Sequence, residues 1–136
     1  MRRVGSAPTA SDIEAIARRT IEQLPQPFAS HLGDVVLQVE EFADDETLAA
    51  MGIEEPFELS GLYEGIPLTD KSVSHSGTLP DRIRLFRRPI LDEWSANDYS
   101  LERLVRHIVI HEIGHHFGFS DEDMHMLEEQ PEDEEE

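Results

Sequence analysis

His111, Glu112 and His115 stand in the stretch HEIGHHFGFSD, residues 111–121, which continues to Gly118 and Asp121. On a helix with about 100° per residue, His115 falls near 40° from His111 and Glu112 near 100°, so one sector of the helix carries all three. Imidazoles four residues apart, separated by about 6 Å of rise, can each turn a nitrogen to about 2.0–2.1 Å from one zinc ion. Glu112 is rotated too far to join them. It can still reach a water on that ion, where a carboxylate acts as general base. A third ligand requires the chain to fold back, and Gly118 tolerates the positive φ at which a helix turns. Asp121 then lies where the returning chain can reach the ion. H-E-x-x-H alone arises readily by chance, but Gly and Asp at the later spacings make the extended pattern far rarer.

Other elements must hold that helix in place. The spacing of Leu104, Ile108, Val109, Ile110, Ile113 and Phe117 predicts a helix from about Ser100 to Phe117, apolar nearly all round in its second half. A helix of that kind is buried on more than one side, so the imidazoles and Glu112 are expected to face protein or a closed cleft. SDIEAIARRTIEQL, residues 11–24, is a first amphipathic helix with Ser11 or Asp12 as N-cap and Pro25 beyond its end. DVVLQVEEF reads as a strand, DDETLAAMGI as a short helix closed by Gly52, and FELSGLYEGIPL as a strand broken by Gly61 and Gly65. TDKSVSHSGTLPD is expected to be a mobile polar loop. In RIRLFRRPI, Ile83 and Leu85 alternate with Arg82, Arg84 and Phe86, the pattern of a strand with one wet face that Pro89 ends. A last short helix covers residues 122–128. Elements of both types without a regular β-α-β rhythm give the class α+β.

The chain has 136 residues, enough for one domain. We place a flexible N-terminus at 1–10, the domain at 11–128 and a disordered acidic tail at 129–136. Without cysteine, a tightly held transition metal depends on His and carboxylate ligands. The net charge is −19, and removing the seven acidic groups of the last nine residues still leaves −12. Nucleic-acid binding needs basic groups to displace counterions, so DNA and RNA are not expected partners. No apolar run approaches the roughly 20 residues of a membrane span, and none follows the arginines of MRRVGSAPTA as a signal peptide requires. A cytoplasmic protein with no membrane contact is the expectation.

The pattern H-E-x-x-H-x-x-G-x-x-D resembles that of the zincin metallopeptidases whose last ligand is aspartate. Together, GLYEGIPL, LPDRIRLFRRPI and HEIGHHFGFSDEDM resemble the small bacterial zincin-like metallopeptidases, over about residues 30–128. The resemblance implies His111, His115 and Asp121 as zinc ligands, Glu112 as catalytic base and a minimal zincin-like fold. That fold is a small twisted mixed sheet packed on the active-site helix, with additional short helices. Other divalent cations suit an aspartate ligand too. The implied activity is hydrolysis of a peptide or protein substrate by a metal-activated water. Metzincins place a methionine-containing turn under the metal; here only Met124 and Met126 follow the motif, and Met124 or Leu127 is expected to floor the site instead.

Three further residues could support the reaction from outside the ligand set. His107, one turn before His111, is a possible hydrogen-bonding neighbour or additional ligand. His125 follows Asp121 closely enough to approach the metal or a charged intermediate. Tyr63 is either a core-edge aromatic or a contact near the cleft. His116 points away from the ligands and reads as structural. In zincins an edge strand preceding the active-site helix pairs with substrate backbone, and RIRLFRRPI is the candidate. The rival to a peptidase is a catalytically inactive metal-binding domain that serves interaction. A second, resembling the metalloproteins of bacterial ribosomal-RNA maturation, is disfavoured by Glu112 and the acidic body.

Overall fold

A computed structural model describes residues 7–25, 32, 34–65 and 81–128. The chain forms α1 (Ala10–Glu22), β1 (Val36–Glu40), α2 (Asp45–Met51), a 3-10 turn (Pro56–Glu58), β2 (Gly61–Glu64), β3 (Arg82–Phe86), α3 (Arg87–Ser95), α4 (Leu101–Phe117) and α5 (Asp121–Glu128). The architecture is α+β, with five helices around a small mixed sheet.

The sheet has strand order β1-β3-β2. β1 runs parallel to β3, with Leu37 opposite Ile83, while β2 runs antiparallel to it, with Tyr63 opposite Ile83. β3 is therefore the central strand, which corrects its assignment as a substrate-pairing edge; among the described strands the open edges belong to β1 and β2. Its expected wet face is also largely covered beyond Arg82. Ile83 and Leu85 join one core, and on the other face Phe86 is fully buried while Arg84 is only 6 % exposed. Arg84 is satisfied by the flanking strands and the start of α2: it donates twice to Glu40 (3.0 and 3.1 Å), to Asp44 (2.9 Å), to Glu64 (3.1 Å) and to the Thr47 hydroxyl (3.0 Å). A buried guanidinium is tolerable only with such partners. The hydrogen bonds to Thr47 and Arg84 hold the Asp44 carboxyl far below the usual carboxylate range.

The main core lies on the Ile83 and Leu85 face. There α1 contributes Ile13, Ile16, Ala17 and Ile21, and α4 contributes Leu104, Val105, Ile108, Val109 and Ile113. A smaller cluster of Ala43, Leu48, Leu59 and Phe86 covers the other face beneath α2. The 3.6-residue period of α1 thus matches its buried stripe. Its N-cap is Thr9, not Ser11 or Asp12: Thr9 accepts from the Asp12 N–H, and the Asp12 carboxylate accepts from the Thr9 N–H, closing a capping box. Gly52 ends α2 in the left-handed conformation, as expected.

Pro89 does not close a strand before a loop. It occupies the first turn of α3, a helix the sequence pattern hides, where a missing N–H breaks no intrahelical bond. Most of the expected polar loop, residues 69–80, lies outside the described residues, as do residues 1–6 and the acidic tail. Among the described residues no helix is long and apolar enough to cross a membrane.

Candidate metal and catalytic site

α4 carries the motif and is fixed at both ends. Ser100 caps it by accepting from the Arg103 N–H (3.0 Å), and Gly118 ends it at φ 77°, the left-handed turn expected there. The chain then enters α5, whose first residue is Asp121. Met124 of α5 is buried against Gly114, in the turn between His111 and His115; a Cβ on Gly114 would lie 2.6 Å from the Met124 Cγ. Met124 therefore packs under this part of the helix, and Leu127 is buried in the same core.

β2 approaches the opposite flank of α4. A Cβ on Gly61 would sit 2.7 Å from the Ile108 Cγ2 and 3.5 Å from the Glu112 Cγ, so strand and helix meet at this spacing only because residue 61 has no side chain. The approach half-buries Glu112. Burial pushes its carboxyl above the usual carboxylate range, opposed by the charge of His115 and by a hydrogen bond from the Tyr63 backbone. A carboxyl whose proton affinity is raised in this way suits a group that must accept and release a proton.

The motif helix is more open than its composition suggests. His115, His116 and Phe117 are exposed and His111 is partly so. The His111 and His115 rings lie 6.0 Å apart, nearly perpendicular. Asp121 is exposed at the start of α5. Among the described residues, the His and carboxylate ligand atoms within 4.8 Å of one another belong to His107, His111 and Glu128. Glu128 accepts from His107 Nδ1 at 2.9 Å and from His111 Nε2 at 2.6 Å. His107 thus lies beside His111, with their ring centroids 4.0 Å apart.

His116 stacks on Tyr63 at 4.1 Å between centroids. The Tyr63 hydroxyl donates to Asp81 (2.6 Å), and burial together with that carboxylate raises its pKa, so it stays protonated and committed. Tyr63 is buried in the main core, and its strand flanks Glu112. His125 is exposed on α5. Glu128 is the residue that sequence reasoning missed. It follows the motif closely, but stands at the head of an acidic run.

The profile of the zincin-like metallopeptidases matches residues 32–130, from before β1 to beyond α5. The chain belongs to the zincin-like metallopeptidase family. No curated protein sequence matches it significantly.

Zincin-like metallopeptidases imply zinc, and the donors fit it. Two imidazoles and a carboxylate come within one coordination sphere's reach, and a third imidazole, that of His115, neighbours them. Nitrogen and carboxylate oxygen without thiolate suit zinc and similar divalent cations.

Proposed function

We propose that this chain is a zinc-dependent peptidase in which His111, His115 and Asp121 hold the metal and Glu112 is the general base. The observation that carries the reading is the setting of Glu112: a half-buried carboxyl with raised proton affinity, one residue from His111 and three from His115, in a chain whose family is that of metallopeptidases. Zinc, when bound, polarises the scissile carbonyl and lowers the pKa of a water. Glu112 takes the proton of the attacking water and delivers it to the leaving amine. The Tyr63 backbone hydrogen bond keeps its carboxylate aimed while it does so. The left-handed turn at Gly118 ends α4 and leads into α5, whose first residue, Asp121, would supply the third ligand in this reading. An extended peptide fits the open edge of β2, the strand next to Glu112, where backbone groups can add a strand by main-chain hydrogen bonding.

The test is incubation of the zinc-loaded chain with a peptide mixture, reading new termini by mass spectrometry. Cleavage that a chelator stops and added zinc restores is the expected result. A specific observation favours the second reading, a metal-binding domain without catalysis: Glu128 already occupies the Nε2 of His111. Stoichiometric zinc with no cleavage of any peptide would select that reading.

A further inference from the structure

Glu128 lies outside the H-E-x-x-H-x-x-G-x-x-D pattern yet meets two histidines of α4. Glu128 closes α5, at the end of a helix where a negative charge is disfavoured by the exposed carbonyls. It is held there all the same. The buried guanidinium of Arg106, on α4, donates to the carbonyls of Leu127 (2.8 Å) and Glu128 (3.3 Å), and Met124 fills the notch at Gly114. Two turns of α4 therefore fix the last turn of α5, and the carboxylate projects from a rigid base. Both of its oxygens are engaged, one by His107 and one by His111, and its side chain is only 22 % exposed.

We propose that His107, His111 and Glu128 form a divalent-cation site of their own, sharing His111 with the motif. Tetrahedral zinc with bonds of about 2.0–2.1 Å sets its ligand atoms about 3.4 Å apart. The two imidazole nitrogens lie 2.9 and 2.6 Å from the two oxygens of one carboxylate, and one ligand atom from each residue lies within 4.8 Å of the others, so side-chain torsions can close the group on a cation without moving either helix. The donor types are those that suit zinc, and His107 is half exposed, so a cation has access from solvent. His111 offers Nε2 to one arrangement at a time, so a cation held with His107 and Glu128 is withheld from His115 and Asp121. The site is thus a second, non-hydrolytic resting place for the metal beside the proposed catalytic one. It does not require that the chain be a peptidase.

The experiment uses the full chain with zinc alone, measured by competition against a chromogenic chelator and by the imidazole resonances in NMR spectra. In the double variant His115→Ala/Asp121→Ala, which lacks the other two motif ligands, one zinc per chain should still bind, and its addition should shift the His107 and His111 ring signals. Adding Glu128→Gln or His107→Ala to that variant should weaken binding at least tenfold. Glu128→Gln keeps the size of the side chain and His107 is half exposed, and circular dichroism of each variant verifies folding. The proposal is overturned if the double variant takes up no zinc, which leaves Glu128 as an ordinary partner of two imidazoles. It is equally overturned if uptake is indifferent to Glu128→Gln and His107→Ala. Neither outcome depends on cleavage, so failure of the peptidase reading and failure of this one are separable.

Discussion

Replacing Gly114 with alanine puts a methyl group where Met124 already sits. The new Cβ would meet the Met124 Cγ at 2.6 Å, its sulfur closer still, and the Phe119 ring at 3.4 Å. Alanine in a helix interior is better than glycine by about 1 kcal/mol, while forcing a methyl into a packed interior costs about 1–3 kcal/mol. Met124 is 1 % exposed, and the clash involves the middle of its side chain, so it cannot swing to solvent without lifting α5 from α4. The overpacking cost should win, leaving Gly114→Ala less stable by about 1 kcal/mol. In a Met124→Ala background the methyl has room, and the same substitution should become stabilising by about 1 kcal/mol. Urea unfolding of the four metal-free proteins measures both steps, with a coupling of about 2 kcal/mol expected between the sites. If Gly114→Ala stabilises the parent chain as much as the Met124→Ala chain, α5 does not pack on α4 as described.

Three further outcomes follow from the same geometry. Arg84→Leu removes the guanidinium that neutralises Glu40, Asp44 and Glu64, and because those carboxylates keep partial access to water the loss should be about 1–3 kcal/mol in urea unfolding; no loss would mean that the cluster is electrostatically idle. Ser100→Ala deletes the N-cap of α4 and should lower stability by about 1 kcal/mol while zinc uptake per folded chain stays the same. Burial raises the Glu112 pKa in the folded state, so folding favours its neutral form: stability is full below the unfolded value of about 4.3 and declines as pH rises from there through the folded pKa. Glu112→Gln is always neutral, so the melting temperature of the metal-free variant should pull ahead of the parent as pH rises above about 4, whereas a pH-independent difference would contradict the burial of that carboxyl.

Much of the fold is legible in the residues because local patterns and tertiary contacts agree. The stripe of Ile13, Ile16 and Ile21 is the buried face of α1, and Gly52 and Gly118 end their helices through the left-handed turns that glycine favours. Legibility fails where a residue's partner lies far along the chain. Arg82, Arg84 and Phe86 read as a wet face because alternation alone does not reveal that Glu40 and Glu64 come from flanking strands or that α2 covers Phe86. Helix α3 is hidden because Pro89 is a breaker in a helix interior but tolerated in the first turn. The site divides in the same way. One helix suffices to place His111, Glu112 and His115, and His107 shares their stripe. Glu128 depends on how α5 docks, which Met124, Gly114 and Arg106 decide together and no spacing encodes.

Turnover by the Glu112→Gln chain, compared with the parent at equal measured zinc content, bears most directly on the role assigned to Glu112. Loss of the general base should lower peptide cleavage by at least about 10²-fold with zinc retained. Cleavage at the parental rate would remove Glu112 from the chemistry and with it the reading of α4 as a catalytic helix.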